Sequence, residues 1–158
     1  MREVLFRGKQ NENKEWIYGS LIKRNIGCFI VDENNKCALQ KCGEFDFCFE
    51  SKLVKSETIG QYTGLTDKNG KKIFEGDILQ VITGDGWSCP KGTKVYYEVV
   101  FTEFNPENAS WSEYIGYMAK GERGALRSLA NVIRRYDAVV IGNIHDNPEL
   151  LKGAENNG

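Results

Sequence analysis

The sequence of 158 residues contains one histidine, His145, and only three prolines. A single histidine leaves little material for acid–base catalysis near neutral pH, and its place close to the end of the chain is more typical of a surface residue. The low proline content, together with seventeen glycines, favours tight turns over long disordered linkers. We therefore expect a folded, non-enzymatic chain without catalytic residues.

Neither positive nor negative charge predominates, because the sequence has 21 lysines and arginines and 22 aspartates and glutamates. A protein that relies on many phosphate contacts usually has a basic excess, so nucleic acid is a possible partner but not the first expectation. No apolar run reaches the ~18 residues of a membrane span, and the N-terminus lacks the apolar core of a secretion signal. These absences predict a cytoplasmic protein that does not enter a membrane.

Close cysteine pairs of the C-x2-C type are also absent. The five cysteines are Cys28, Cys37, Cys42, Cys48 and Cys89. Zinc sites usually take ligands from such pairs, and an odd number of cysteines is typical of free thiols in a reducing compartment. The sequence therefore predicts no metal site and no cofactor, and it leaves the role of the first four cysteines open.

Short β-prone runs separated by turn residues make up most of the chain, and the clearest turn is Asp67-Lys68-Asn69-Gly70. An aspartate at the first position accepts hydrogen bonds from backbone amides, and a glycine at the last tolerates a positive φ. A type I turn with a bulge and a type I′ turn both fit this sequence. About eight such strands predict a mostly β fold, either a small curved sheet or a partly open SH3-like barrel built from hairpins.

Residues 123–135 have helical rather than strand periodicity. Leu126, Leu129, Ala130 and Ile133 recur at the spacing of one buried helical face, which predicts an amphipathic helix near 123–135.

A short helical turn is expected at the C-terminal end, where Pro148 suits a first helical position. We expect a single domain over residues 1–152, either undivided or with two lobes at about 1–57 and 58–152, and a disordered tail at 153–158.

Nucleic-acid binding has one specific signal. On the predicted helix, Arg123, Arg127 and Arg134 would lie within ~40° of one another and could follow a phosphate backbone. Trp16 and Tyr18 could stack on bases. However, alternation gives their strand apolar residues on both faces, which predicts a strand buried on both sides and argues against stacking.

Elimination favours binding to a protein partner or self-assembly into a homo-oligomer. Short hairpins leave strand edges that pair with other strands, and Trp87 and Trp111 are candidate anchors if exposed. Glu75 and Asp77 could hold a cation, but shaping the bend before the next strand is the stronger interpretation.

Three blocks of the sequence resemble the YopX-like family of phage and prophage proteins. The blocks are Phe6–Lys9 with Trp16–Leu21, Thr58–Leu65 with Asp67–Leu79, and Val140–Ile144 with Asn147–Leu151. The resemblance implies a mostly β fold and a phage or prophage origin, and it implies no activity. We therefore expect a phage or prophage accessory protein that binds a protein partner or itself. The alternatives are a small-barrel nucleic-acid-binding protein with a basic helix face and, third, a hydrolase or metal-binding protein.

Overall fold

The computed structural model describes residues 3–32, 51–83, 91–104, 114–121 and 124–151. The chain divides into unit 1, Met1–Gly64, and unit 2, Leu65–Gly158. Within the described ranges it forms two open antiparallel sheets and one α-helix, which confirms the mostly β fold class. The tail predicted at 153–158 lies outside those ranges.

Unit 1 is an antiparallel sheet in the order β4-β3-β2-β1-β5. Its strands are β1 (Phe6–Lys9), β2 (Trp16–Arg24), β3 (Gly27–Asp32), β4 (Ser51–Val54) and β5 (Gly60–Thr66), the last of which crosses the boundary between the units. The polar turn before β2 contains Lys14 at a positive φ of 65°. A short 3-10 turn, Ser56–Thr58, connects β4 to β5.

The first four strands curl, because the end of β4 returns to the end of β1. Val54 forms an isolated antiparallel bridge with Gln10. The Asn11 amide donates to the Leu53 carbonyl at 3.0 Å, and the Lys55 amide donates to the Lys9 carbonyl at 2.9 Å. These contacts join the two outer strands of the group at one end, so the sheet has an inner and an outer face.

The inner face holds a small apolar core. Its buried members are Ile17, Cys28, Ile30 and Val54, with Phe6, Leu21 and Ile59 packed against them. The space is tight at Gly8, where a Cβ would lie 3.0 Å from Val54 and 3.2 Å from Ile30. Glycine at this position therefore lets the curled strands approach one another.

Unit 2 contains a second sheet in the order β10-β9-β8-β7-β11. Its strands are β7 (Asp77–Thr83), β8 (Thr93–Phe104), β9 (Tyr114–Lys120), β10 (Leu126–Ser128) and β11 (Val139–Asn143). Helix α1 (Leu129–Arg135) connects β10 to β11, and a 3-10 turn at Pro148–Leu151 matches the predicted C-terminal helical turn. One face of this sheet packs with α1 around Leu79, Val99 and Leu129, each 0% exposed.

The Gln61 to Leu79 segment contains the hairpin that the turn chemistry predicts. β5 and β6 (Lys72–Phe74) are hydrogen-bonded neighbours. The Asp67 amide donates to the Lys71 carbonyl at 2.9 Å, and the Gly70 amide donates to the Asp67 carbonyl at 3.0 Å. Gly70 has a φ of 82°, so the glycine stands where the left-handed conformation is required.

The helix near 123–135 is shorter than predicted. Leu126–Ser128 forms strand β10, paired with Met118–Lys120 of β9, and α1 begins only at Leu129. The buried helical residues are Leu129 and Val132, while Ala130 is exposed. Leu126 is three residues before Leu129 and so matches the helical spacing, but it lies on a three-residue edge strand and is not part of the helix. The apparent helical period was therefore longer than the two-turn helix itself.

Candidate binding surfaces

The outer face of the unit 1 sheet is the first candidate surface. Along β2, Ile17 and Gly19 are buried, whereas Tyr18 is 37% exposed and Ser20 is exposed. Trp16, which lies on the same face as Tyr18, is half-buried. The prediction that this strand is buried on both sides was wrong, because Tyr18, Ser20 and Arg24 on its outer side are exposed.

Basic side chains lie next to these aromatic rings. In the β1–β2 ladder, Lys9 is opposite Trp16 and Arg7 is opposite Tyr18, so all four side chains leave the sheet on the outer face. The Arg7 guanidinium carbon is 4.7 Å from the centroid of the Trp16 ring, and the Lys9 Nζ is 5.6 Å from it. Both distances are within the ~6 Å range of cation–π attraction, so both basic groups interact with the indole.

The same face continues across β3 and β4. Phe29 is opposite Ile22, and Leu53, which is 39% exposed, is opposite Phe29. Arg24 ends β2 on this side and is exposed. Among the strand positions of this face that the structure describes, Arg7, Lys9 and Arg24 are basic and none is acidic. The surface therefore combines aromatic rings with the charges of Lys9 and Arg24, whereas Arg7 is buried beside them at 6% exposure.

The basic residues predicted to lie on one helix are divided between elements. Arg127 is exposed on β10 and Arg134 is exposed on α1, whereas Arg123 lies outside the described residues. The predicted helical stripe is therefore wrong for Arg127, because the helix starts two residues after it. Trp87 and Trp111, the predicted anchors, also lie outside the described ranges.

A concavity of about 250 Å³ is present where β10 meets α1. It is lined by Arg127, Ser128, Asn131, Val132, Arg135 and Tyr136. Arg134 is not among these lining residues; its Nη2 donates instead to the Asn131 Oδ1 at 3.2 Å. Sequence reasoning missed Arg135 as a partner of Arg127, because their convergence depends on a strand-to-helix junction that periodicity does not reveal.

The carboxylate of Asp67 belongs to a side chain that is 5% exposed. Its Oδ1 accepts from the Asn69 and Lys71 amides at 2.8 and 2.9 Å, and its Oδ2 accepts from the Val140 amide at 3.1 Å. Burial alone raises the pKa of this carboxyl, but the three amide donors and the charge of Lys71 outweigh burial and hold the pKa below its ordinary value. Asp67 thus links the turn to β11, and its role is structural.

Asp77, the second buried carboxylate, also accepts a backbone hydrogen bond. Asp77 is 1% exposed, and its Oδ2 accepts from the Phe74 amide at 2.8 Å across the bend in which Gly76 has a φ of 78°. This geometry agrees with the interpretation that Asp77 shapes the bend. His145 is half-buried, and its amide donates to the Asn143 Oδ1 at 3.0 Å in the turn after β11.

Cys28 is a free thiol buried in the core of unit 1, and the Ser56 hydroxyl donates to its sulfur at 3.6 Å. Cys37, Cys42, Cys48 and Cys89 lie outside the described residues. In the part of the chain that the structure describes, no group of three or more His, Cys, Asp or Glu side chains is placed to hold a metal ion. The helices of that part include none with the length and apolar character needed to cross a membrane.

Comparison with known proteins gives a family and a similar solved structure. Residues 5–152 match the family model described as YopX protein. The crystal structure of protein EF1440 from Enterococcus faecalis is similar, with 25% sequence identity and a TM-score of 0.51 over 96% of this chain and 99% of that one. No curated protein matches the sequence. Neither description names a ligand, a partner or a reaction.

Proposed function

This chain belongs to the YopX family, and we propose that it is a non-enzymatic protein that binds single-stranded nucleic acid on the outer face of unit 1. The observation that carries the proposal is the outer face of β2, where Tyr18 is 37% exposed beside the half-buried Trp16, with Lys9 opposite Trp16 and the exposed Arg24 at the end of the strand. Aromatic rings accept stacked bases, and lysine and arginine attract the phosphates between them.

The ligand is single-stranded because stacking requires bases that are not already stacked in a duplex. The two aromatic side chains are two residues apart on one strand, so their Cα atoms are separated by roughly 6 to 7 Å. An extended strand of nucleic acid can place successive bases over such a pair. A sheet with one enclosed and one open face is the arrangement that small barrels and sheet platforms use for this purpose.

The acidic side chains support a binding role over a catalytic one. Asp67 and Asp77 accept backbone hydrogen bonds at buried positions, so their carboxylates stabilise turns. A general base must reach the proton of a bound substrate, and these oxygens are directed at amides of their own chain.

Direct binding measurements test the proposal. Fluorescence anisotropy with a labelled single-stranded oligonucleotide should show salt-sensitive binding by the wild type. Tyr18→Ala should weaken this binding by the roughly 1 to 3 kcal/mol that one stacked base contributes. Ile82→Ala is the control, because Ile82 is a large apolar residue of unit 2 with 53% exposure and is not part of the outer face of unit 1. Equal affinity of the wild type and Tyr18→Ala, or an absence of salt-sensitive binding, would refute the proposal.

The biological setting of this activity belongs to the same proposal. The resemblance implies a phage or prophage origin, and five cysteines without close pairs suit the reducing cytoplasm of a bacterial host. A protein with these properties would act on nucleic acid as an accessory to phage replication or expression. Recovery of bound nucleic acid from infected cells after crosslinking measures this directly.

A second candidate function, self-assembly, has one specific observation in its favour. Phe101 is 53% exposed, and its ring meets that of Tyr117 edge-on at 5.2 Å between centroids. Two neighbouring aromatic rings on paired strands are suited to the centre of a contact between copies. Mass measurement in solution across a concentration series tests it: Phe101→Ser should shift an oligomer towards the monomer, and a wild-type monomer at every concentration would exclude it.

A further inference from the structure

We propose that the concavity between β10 and α1 binds a phosphate group, in addition to the surface of unit 1. Arg127 reaches it from the strand and Arg135 from the last turn of the helix. Two guanidinium groups from different elements that line one concavity provide several N–H donors for one oxyanion. Arginine is the side chain whose planar donors match phosphate oxygens in pairs.

The remaining polar lining residues can also donate. The Ser128 side chain makes no capping hydrogen bond to α1, although it occupies the N-cap position, so its hydroxyl is not engaged by the helix. The Asn131 Oδ1 accepts from Arg134, which leaves its Nδ2 amide as the donating end. Tyr136 contributes a hydroxyl, and the lining contains no carboxylate. Its chemistry therefore selects anions over cations.

The size of the concavity limits the ligand. At about 250 Å³ it is smaller than the ~300 to 1,000 Å³ of pockets that hold drug-sized molecules. It fits a free phosphate or the phosphate end of a larger molecule rather than a whole nucleotide. Val132 is the apolar lining residue, so hydrogen bonds rather than apolar contacts must supply the affinity.

Inorganic phosphate is the direct probe, with ionic strength held constant by sodium chloride. We expect a saturable shift of the Ser128, Asn131 and Tyr136 amide signals in NMR spectra of the full chain. Arg127→Gln and Arg135→Gln should each weaken phosphate binding roughly tenfold, because each removes charge-assisted hydrogen bonds. Lys94→Gln is the control, since it removes one positive charge from an exposed position of unit 2 outside the lining; it should change affinity less than about twofold.

Dimethyl phosphate, titrated in the same way, distinguishes two sources of the phosphate group. Comparable binding of the diester assigns the site to a nucleic-acid backbone, and binding of inorganic phosphate alone assigns it to a monoester or to free phosphate. Arg135→Lys keeps the charge but not the planar pair of donors, and should also weaken binding.

Unsaturable shifts, or a Lys94→Gln variant as weak as Arg127→Gln and Arg135→Gln, would overturn the assignment. Neither probe carries a base, so failure here leaves the stacking surface of unit 1 untouched.

Discussion

Unit 1 and unit 2 use their sheets differently. Among the residues that the structure describes, four buried side chains form the core cluster of unit 1, and the opposite face of β2 leaves Tyr18 exposed. In the described part of unit 2, nine buried residues form the cluster, and α1 packs on the sheet through Leu129 and Val132. A smaller core leaves more of a sheet available for a ligand, whereas a larger one commits it to stability.

The sequence blocks that resemble the family divide in the same way. The central and closing blocks meet in unit 2, where Asp67 accepts from Val140 and the Ile144 amide donates to the Gly76 carbonyl at 2.9 Å. The opening block forms β1 and β2 of unit 1 and contributes Trp16 and Tyr18 to the outer face. Two blocks therefore hold the fold together, and the third also presents the proposed ligand surface.

The difference between the two units predicts its largest effect on unfolding free energy when a leucine is truncated to alanine, once in the core of unit 2 and once on the outer face of unit 1. Leu79→Ala should cost about 3 to 4 kcal/mol of unfolding free energy, because Leu79 is 0% exposed in the core of unit 2. Leu53→Ala removes the same atoms from the outer face of unit 1, where the side chain is 39% exposed, and should cost less than about 1 kcal/mol. Urea denaturation measures both; equal costs would mean that the outer face is part of a core.

A somewhat smaller loss of unfolding free energy is expected when the Asp67 carboxylate, which joins the central and closing sequence blocks, is removed. Asp67→Ala leaves the amides of Asn69, Lys71 and Val140 without their acceptor and should cost about 2 to 3 kcal/mol. Lys68→Ala is the control, since Lys68 is an exposed neighbour in the same turn. Oligonucleotide affinity should be unchanged in the folded Asp67→Ala protein. A large loss of affinity would show that the division between stability and binding is wrong.

The pH dependence of the unfolding free energy measures how much the ionised form of the Asp67 carboxylate stabilises the fold. The pKa of Asp67 is lowered in the folded chain, so its contribution is complete above the ordinary carboxyl pKa of about 3.9 and is lost as the pH falls through the folded value. The gap in unfolding free energy between the wild type and Asp67→Asn should therefore narrow as the pH is lowered from about 5. Urea titrations at several pH values measure the gap, and a constant gap would mean that the ionised form has no special role.

The fold could be predicted from the sequence where local chemistry decides it. The Asp67–Gly70 turn, the bend at Asp77 and the mostly β class follow from residues whose conformational needs are strong and local. The extent of α1 could not be predicted, because the pairing of Leu126–Ser128 with β9 is a long-range contact that overrides helical spacing.

The candidate surfaces were harder to predict for a related reason. The open face of β2 depends on the return of Val54 to Gln10, and sequence alternation alone does not show which face a curl encloses. Apolar residues on both sides of a strand therefore had two explanations. The exposure of Tyr18 and Ser20 decides between them in favour of one open face of β2.

The smallest expected effect concerns a basic residue at the margin of the outer face. Arg24 is exposed at the end of β2, and the basic groups near the Trp16 ring are Arg7 and Lys9. Arg24 should therefore contribute one phosphate contact and have no part in base stacking. Arg24→Gln should lower the slope of log affinity against log salt by about 0.7, the value for one phosphate on a single strand, and weaken binding only modestly. Lys14→Gln, in the polar turn before β2, is the control and should leave the slope unchanged. Anisotropy titrations over a salt series separate this outcome from that of Tyr18→Ala, which should lose affinity at every salt concentration with the same slope. If Arg24→Gln and Tyr18→Ala change the slope alike, charge and stacking are not separate contributions on this face, and the outer surface of unit 1 would have to be described as a single electrostatic patch.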